Sequence, residues 1–205
     1  MAVDRAAAAR AIRDFLQALG YDPRQSEELS ETPERVAEAF ADDLLRGQEI
    51  DLRALIQRGS CEAPPAVKSG PVAVTSIAIA TVCPHHLLPA LGVAHVVYLP
   101  GRMLLGIGTV TALVDACARR LTLQEGIGQS VVAALVDHAG ARGAYCELEL
   151  EHSCLRARGE RQVSALVRTS ARAGEYAARD ALGEIALALG RAFAPAVTTA
   201  KQSQT

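Results

Sequence analysis

Residues 144–152 read AYCELELEH, the most regular pattern in the chain and the starting point for predicting its fold. Apolar and acidic side chains alternate with the two-residue period of a β-strand, so one face is apolar and ends in His152 while the other carries three glutamates. We therefore predict a strand with one face in the core and one towards solvent or another subunit. Because Cys154 follows two residues later, the end of this strand also carries candidate chemistry.

Periodicity elsewhere predicts helices and strands in the order αα, ββ, αα, ββ, α. Helices are expected up to residue 20 and over residues 33–46, 110–123, 127–139 and 176–193. Further strands are expected over residues 72–79, 93–99 and 161–169, where β-branched residues are frequent. This order indicates an α+β protein.

Composition excludes several classes of partner and compartment. The chain has 205 residues, half of them apolar, and a net charge of −2, so no overall field attracts nucleic acid or a membrane. Five cysteines are an odd number, which argues against a disulfide framework. The N-terminus lacks the apolar core of a signal peptide, and no apolar run reaches the roughly 18 residues of a membrane span. We expect a cytoplasmic, soluble protein.

Thiols and imidazoles cluster in two segments of the sequence. Cys83 and His86 lie three residues apart, and His152 precedes Cys154 by two. Zinc prefers such ligands, and a catalytic zinc needs only three of them so that a water can take the fourth place. The pattern favours a hydrolytic zinc site that joins two distant segments. The alternative is that the cysteines are buried thiols and the histidines ordinary core or surface groups.

Several motifs, in the same order along the chain, resemble those of the GTP cyclohydrolase I family. They are Thr32-Pro33-x-Arg35-Val36, Thr81-x-Cys83-x-His85-His86, Gly92-x-Ala94-His95-x-x-Tyr98-x-Pro100, Gln124-Glu125 and His152-x-Cys154-x-x-Ala157-Arg158-Gly159. The resemblance covers roughly residues 30–175. Motifs in register over that length are more specific than any one of them alone.

The resemblance implies a T-fold, in which an antiparallel four-stranded sheet carries two helices on one face. Subunits of this family assemble into a β-barrel torus, typically a decamer, with active sites between subunits. We accordingly expect an N-terminal helical segment over residues 1–60, a T-fold catalytic domain over 70–195 with a C-terminal helix, and a disordered tail over 196–205.

Family roles can be carried over to matching positions of this chain. The family opens the imidazole ring of GTP hydrolytically, loses C8 as formate and recloses the product as dihydroneopterin triphosphate. The implied roles are zinc ligation by Cys83, His86 and Cys154, proton transfer by His85 and His152, guanine recognition by Gln124 and Glu125, and a nucleotide contact by Arg158. For Gln124 and Glu125 the alternative is a solvated loop, and for Arg158 a surface charge.

Departures from the family pattern concern the triphosphate. Where the family has Gly-Leu-Ser-Lys and an Arg three residues later, this chain has Gly108 and Thr109, followed by Ala112. Pro84 replaces a glutamate beside the metal motif. Both cationic phosphate contacts are absent. Arg119, Arg120 or Arg161 could compensate, but nothing in the sequence places them near the substrate.

Three functional hypotheses follow. The leading one is a zinc hydrolase that adds water to a C=N bond of a purine-like or related nitrogen heterocycle without a triphosphate. The second is hydrolysis of GTP itself. The third is a non-catalytic assembly that binds a pterin or purine, although the metal and proton-transfer residues that it could lose are all present.

Overall fold

A computed structural model of the chain describes residues 3–64, 70–178 and 181–190. Its strands are β1 (Ser60–Glu62), β2 (Val72–Val82), β3 (Pro89–Leu99), β4 (Met103–Leu105), β5 (Gly143–His152) and β6 (Val167–Gly174). Its α-helices are α1 (Arg5–Ala18), α2 (Thr32–Glu38), α3 (Leu52–Arg58), α4 (Ile107–Ala118), α5 (Gln124–Ala139), α6 (Ser153–Arg156) and α7 (Leu182–Ala188).

A four-stranded antiparallel sheet in the order β2-β3-β5-β6 organises the molecule. Helices α4 and α5 cover one face, and the main core lies between them and the apolar residues of β2, β3 and β5. The expected α+β fold with an antiparallel sheet and helices is therefore confirmed, and it is consistent with a T-fold. None of the described helices is long and apolar enough to cross a membrane.

The opposite face of the sheet is partly covered by the C-terminal part of the chain. Val97 and Tyr145 lie opposite each other on this face and pack with Tyr176 and with Ile185 of α7. Glu147 shares the face, is only 8% exposed and accepts a hydrogen bond from the Tyr145 hydroxyl. The expectation that all three strand glutamates face solvent or another subunit is wrong for Glu147, because the chain itself buries it.

The last strand is displaced from its predicted position of residues 161–169. It runs over Val167–Gly174, and its half-buried side chains towards α5 include the small Thr169, Ala171 and Ala173. A Cβ added to Gly128 of α5 would lie 3.3 Å from the Cβ of Ala171, so the helix approaches this strand closely. Small inward residues give no hydrophobic alternation, which is why the sequence misplaced the strand.

The helix predictions differ from the structure mainly at their ends. The helix expected over 33–46 is α2 followed by a π-helical stretch, Ala39–Leu44. The expected 110–123 helix is α4, which ends at Ala118, while α5 begins at Gln124 and so includes Gln124 and Glu125 in its first turn. The helix expected over 176–193 is a 3₁₀ turn, Glu175–Ala177, and then α7. Residues 179–180 and 191–193, and the expected tail over 196–205, lie outside the described residues.

The segment after α2 docks on the C-terminal half of α4 through a backbone contact and ion pairs. The N–H of Gly47 donates to the carbonyl of Arg119 at 3.0 Å, and a Cβ on Gly47 would lie 2.2 Å from the carbonyl oxygen of Ala116. Asp115 accepts hydrogen bonds from Arg46 and Arg119. This docking therefore requires glycine at 47 and relies on the Asp115 carboxylate.

We predict that Asp115→Asn lowers stability in a pH-dependent way. Burial alone raises the pKa of Asp115, but hydrogen bonds from Arg46 and Arg119 outweigh it and hold the pKa below its usual 3.8. A depressed folded-state pKa contributes stability that is present above pH ~4 and is lost as the pH falls through the folded-state value. We expect a loss of about 1 kcal/mol at pH 7, discounted for partial exposure, that shrinks below about pH 4.

Urea unfolding at fixed protein concentration measures this effect, with the exposed Asp14→Asn as matched control. A midpoint for Asp115→Asn equal to that of the wild type at pH 7 contradicts the prediction.

Candidate functional site

The first ligand segment is a tight turn between β2 and β3. The N–H of Cys83 donates to the carbonyl of Leu88, and the N–H of Leu87 donates to the carbonyl of Cys83, both at 2.9 Å. Leu87 has a φ of 54°, the left-handed conformation that lets the chain reverse. The turn buries Cys83 and leaves His85 and His86 exposed.

The second ligand segment reaches the same end of the sheet through strand register. Ala90 of β3 pairs with Thr81 on one side and with His152 on the other. The ends of β2 and β5 are therefore separated only by the beginning of β3. The short helix α6 then turns Cys154 back towards Cys83.

These segments bring Cys83, His86 and Cys154 together as a candidate metal centre. Their ligand atoms all lie within 4.8 Å of one another. Zn–S bonds of about 2.3 Å in tetrahedral geometry place two sulfurs roughly 3.8 Å apart, so small side-chain movements suffice to hold a zinc ion. Two thiols and one imidazole fit zinc and leave a fourth position open, as catalytic sites do.

The surroundings of Cys154 disfavour its thiolate form. Burial raises the pKa of Cys154, and the neighbouring Cys83 thiol raises it further, although the positive charge of Arg158 acts in the opposite direction. A bound dication reverses this tendency, because it favours thiolates. Cys154 is therefore an unfavourable place for negative charge except beside a cation.

Arg158 competes with a metal for His86. Its guanidinium lies 2.9 Å from Nε2 of His86. Because arginine only donates, Nε2 must accept, and the proton of the neutral ring must then lie on Nδ1. Neither nitrogen then has a free lone pair, so this contact and metal coordination by His86 exclude each other. Arg158 is exposed and can move away.

His152 is held from behind by α5. Its Nε2 lies 2.8 Å from Oε1 of Gln124, whose own Nε2 donates to the carbonyls of Leu148 at 3.2 Å and Val167 at 3.0 Å. Partial burial lowers the pKa of His152, and the carboxylate of Glu125 opposes that shift. Gln124 is only 6% exposed, which rules out the solvated loop considered for this position.

A cavity of about 310 Å³ connects these groups. It is bounded by the candidate ligands, by His85, His152 and Glu125, and by apolar side chains that the sequence did not single out, namely Val82, Leu123, Leu155 and Val167. No sequence pattern pointed to these four residues, because isolated apolar residues at the ends of helices and strands look like ordinary core residues. A groove of about 540 Å³ between α1 and α2 is larger, but ion pairs such as Arg13–Glu34 line it.

The structure brings together every residue that the sequence predicted for the site, except that Arg158 reaches it through His86 and does not line the cavity. The remaining cysteines are apart from the cluster: burial raises the pKa of Cys117 to about 11 and that of Cys146 to about 12, and Cys61 is exposed. His95 accepts a hydrogen bond from the N–H of Ser76 at a bulge in β2, as expected for a structural histidine.

Comparison with known proteins agrees with this geometry. The family model for GTP cyclohydrolase I matches residues 8–190. The chain belongs to the GTP cyclohydrolase I family. It is 38% identical over 192 residues to GTP cyclohydrolase 1 of Leifsonia xyli subsp. xyli, covering 91% of this chain and 96% of the relative.

Other relatives show similar likeness. GTP cyclohydrolase 1 of Chromobacterium violaceum is 38% identical over 175 residues, covering 84% of this chain and 82% of the relative. The Campylobacter lari protein of the same name is 32% identical over 167 residues, covering 82% and 85%. The protein is therefore a GTP cyclohydrolase I-like hydrolase, of a family whose chemistry is zinc-dependent ring opening, with Cys83, His86 and Cys154 as its candidate zinc site.

We predict that zinc binds stoichiometrically and depends on Cys154. Cys154→Ala should weaken zinc binding by more than the roughly 10–100-fold that follows loss of an outer hydrogen-bond partner, because a direct ligand is removed. Elemental analysis after dialysis measures zinc per chain, and Cys61→Ala is the matched control. If Cys154→Ala retained one zinc per chain, Cys154 would not be a ligand.

We also predict that Arg158→Met tightens zinc binding by roughly fivefold. The substitution removes a hydrogen bond, about 1 kcal/mol, that stabilises only the metal-free arrangement of His86. Competition with a fluorescent chelator measures the dissociation constant. Arg156→Met is the control, since Arg156 pairs with Glu151 instead. Weaker zinc binding by Arg158→Met would contradict the proposed competition.

Proposed function

We propose that this protein is a zinc-dependent hydrolase that adds water to a C=N bond of a purine-like or related nitrogen heterocycle and opens the ring, and that its substrate carries no triphosphate. The support for the reaction class is the candidate zinc site beside two histidines and a carboxylate in one cavity. The support for the substrate class is that Thr109 and Ala112 of α4 offer no cationic side chain to a phosphate.

The cavity residues can divide the reaction between them. Cys83, His86 and Cys154 would hold zinc, which when bound lowers the pKa of a water to about 7 and supplies a nucleophile. Addition places oxygen on the ring carbon and a proton on a ring nitrogen, and cleavage of the C–N bond needs a further proton on the leaving nitrogen. His85 and His152, which both line the cavity, would move these protons.

Recognition of the heterocycle falls to Glu125. It is exposed at the start of α5 and lines the cavity. A carboxylate can accept two parallel hydrogen bonds from adjacent ring N–H and amino groups, which fixes the orientation of the ring. The apolar side chains of Val82 and Leu123 can cover the ring faces.

The substrate assignment rests on the N-terminal half of α4, where the side chains at positions 108, 109 and 112 offer no cation to a phosphate. Gly108 offers no side chain, Ala112 no polar group, and the hydroxyl of Thr109 donates to the carbonyl of Gly59 instead of pointing to a ligand. Charge-assisted hydrogen bonds contribute about 1.5–3 kcal/mol each, so two missing cations weaken binding by roughly 10²–10⁴-fold.

The arginines that could compensate are engaged elsewhere or do not line the cavity. Arg119 pairs with Asp115 and Asp43, and Arg120 donates to the carbonyls of Gly47, Ala116 and Ile50. Arg161 is exposed but is not among the described residues that line the cavity. This distribution supports a substrate with little negative charge.

We further propose that the protein works as a homo-oligomer, a decamer by family resemblance, with the sheets joined into a torus. Strands β2 and β6 are the edges of the sheet within the described residues, and open edges favour pairing with another chain. Since α4 has 12 residues and spans about 18 Å, its first turn lies far from the cavity beside its last residue, Ala118. Any phosphate contact from that turn would serve a neighbouring subunit.

GTP itself is the second candidate substrate. Its specific support is the name GTP cyclohydrolase 1 of relatives that are 38% identical over most of this chain. A non-catalytic pterin- or purine-binding assembly is a weaker third, because the metal-ligand and proton-transfer side chains are all in place.

We predict that guanosine or a related uncharged heterocycle is hydrolysed with a higher kcat/KM than GTP, with formate release as the measurement.

We also expect that Thr109→Lys combined with Ala112→Arg lowers KM for GTP by at least tenfold, because it supplies the two missing cations. The control places the same charges on exposed glutamines, Gln57→Lys with Gln48→Arg. Efficient GTP turnover by the wild type would overturn the substrate assignment, and inertness towards all heterocycles with little zinc would favour the binding assembly.

A further inference from the structure

The side chain of Gln124 is turned towards the protein and away from the substrate. Its amide nitrogen donates to two backbone carbonyls, those of Leu148 and Val167, and its oxygen lies 2.8 Å from Nε2 of His152. With 6% of its surface exposed, it contributes little area to the cavity. This orientation favours a role for Gln124 other than the recognition of the heterocycle edge that the family resemblance implies.

The two carbonyls fix the orientation of the amide. Carbonyl oxygens only accept hydrogen bonds, so the NH₂ group of Gln124 must face Leu148 and Val167, and the amide oxygen must face His152. The reverse orientation would place three oxygens against one another. An oxygen acceptor at 2.8 Å requires that Nε2 of His152 carries a hydrogen.

We propose that Gln124 is a positioning residue that fixes His152 in its Nε2–H form, so that Nδ1 is the nitrogen that exchanges protons with the substrate. In the part of the chain that the structure describes, no hydrogen bond engages Nδ1 of His152. The proton-exchange half of this inference rests on the proposed function, whereas the protonation pattern of the ring does not.

The hydrogen bonds of the Gln124 side chain join three elements of the fold. Gln124 is the first residue of α5, Leu148 lies in β5 and Val167 begins β6. One amide therefore ties the helix start to two adjacent strands and holds it against His152 at the end of β5. Helix α5 also carries Glu125, the carboxylate that would bind the heterocycle. The hydrogen bonds of Gln124 therefore fix the position of this carboxylate relative to the His152 nitrogen that would move the protons.

Histidine-selective ¹⁵N magic-angle-spinning NMR tests the protonation pattern directly and works for assemblies of any size. Zinc-loaded protein at about pH 9, where an ordinary imidazole is neutral, should show His152 with a protonated Nε2 and an unprotonated Nδ1. The signals are assigned by their loss in His152→Phe. A protonated Nδ1 in the neutral ring overturns the inference, whatever the substrate proves to be.

Variants of Gln124 test the functional half. Gln124→Met removes the acceptor and should lower kcat roughly 10–100-fold, with KM for the turned-over heterocycle within about threefold and zinc content unchanged. Gln124→Glu keeps an acceptor for the Nε2–H, but its second oxygen faces the carbonyls of Leu148 and Val167, so the variant should be less stable than the wild type. If it folds, it should keep the wild-type NMR pattern and more activity than Gln124→Met. The control is Gln129→Met, the same change at an exposed position of α5.

Each outcome separates the two proposals. A large rise in KM with kcat unchanged shows that Gln124 contacts the heterocycle, which overturns the positioning role. Should Gln124→Met fail to fold, the wild-type NMR pattern and the Gln124→Glu kinetics decide. Absence of turnover with any heterocycle, together with the expected NMR pattern, refutes the proposed function. The inference that Gln124 fixes His152 in its Nε2–H form would still hold.

Discussion

Strand β3 and its pairing with both neighbours hold the site together. Because Ala90 pairs with both Thr81 and His152, the turn that carries Cys83 and the strand end that carries His152 meet at one end of the sheet. Side chains alternate between faces, so a slip of one residue in β5 would turn His152 to the other face and move Leu148 and Leu150 out of the core. Burial of the apolar face of β5 therefore also sets the position of the chemistry.

The start of α5 is the second constraint, and it depends on small residues that do not themselves line the cavity. Gly128 and Ala171 allow the helix to approach β6 closely. The amide of Gln124 can then reach the carbonyls of both β5 and β6. A larger side chain at either contact would lift the helix and withdraw Gln124 and Glu125 together, so packing and site geometry are coupled through one helix.

The sequence predicted what has a chemical or periodic signature, and it missed what depends on backbone partners. Alternation over residues 144–152 predicted β5, and thiol and imidazole spacing predicted the cluster of Cys83, His86 and Cys154. The position of β6 was missed because its inward residues are small. The hydrogen bonds of Gln124 to two backbone carbonyls were not predicted, because backbone carbonyls are present at every residue and leave no trace in a sequence. The contact between Arg158 and His86 depends on a turn geometry that no spacing encodes.

The candidate metal ligands and the two cavity histidines lie on different elements from the part of α4 that departs most from the family pattern. The cavity is built from the turn after β2, the end of β5 and the start of α5, whereas Thr109 and Ala112 lie in the N-terminal half of α4. Thr109 is held against Gly59, a contact with no connection to the ligand cluster. Charge can therefore be lost from the N-terminal half of α4 without disturbing the candidate metal ligands or the two cavity histidines. Such a separation would allow one hydrolytic centre to be matched to substrates of different charge, because Thr109 and Ala112 share no contact with the candidate metal ligands within the chain.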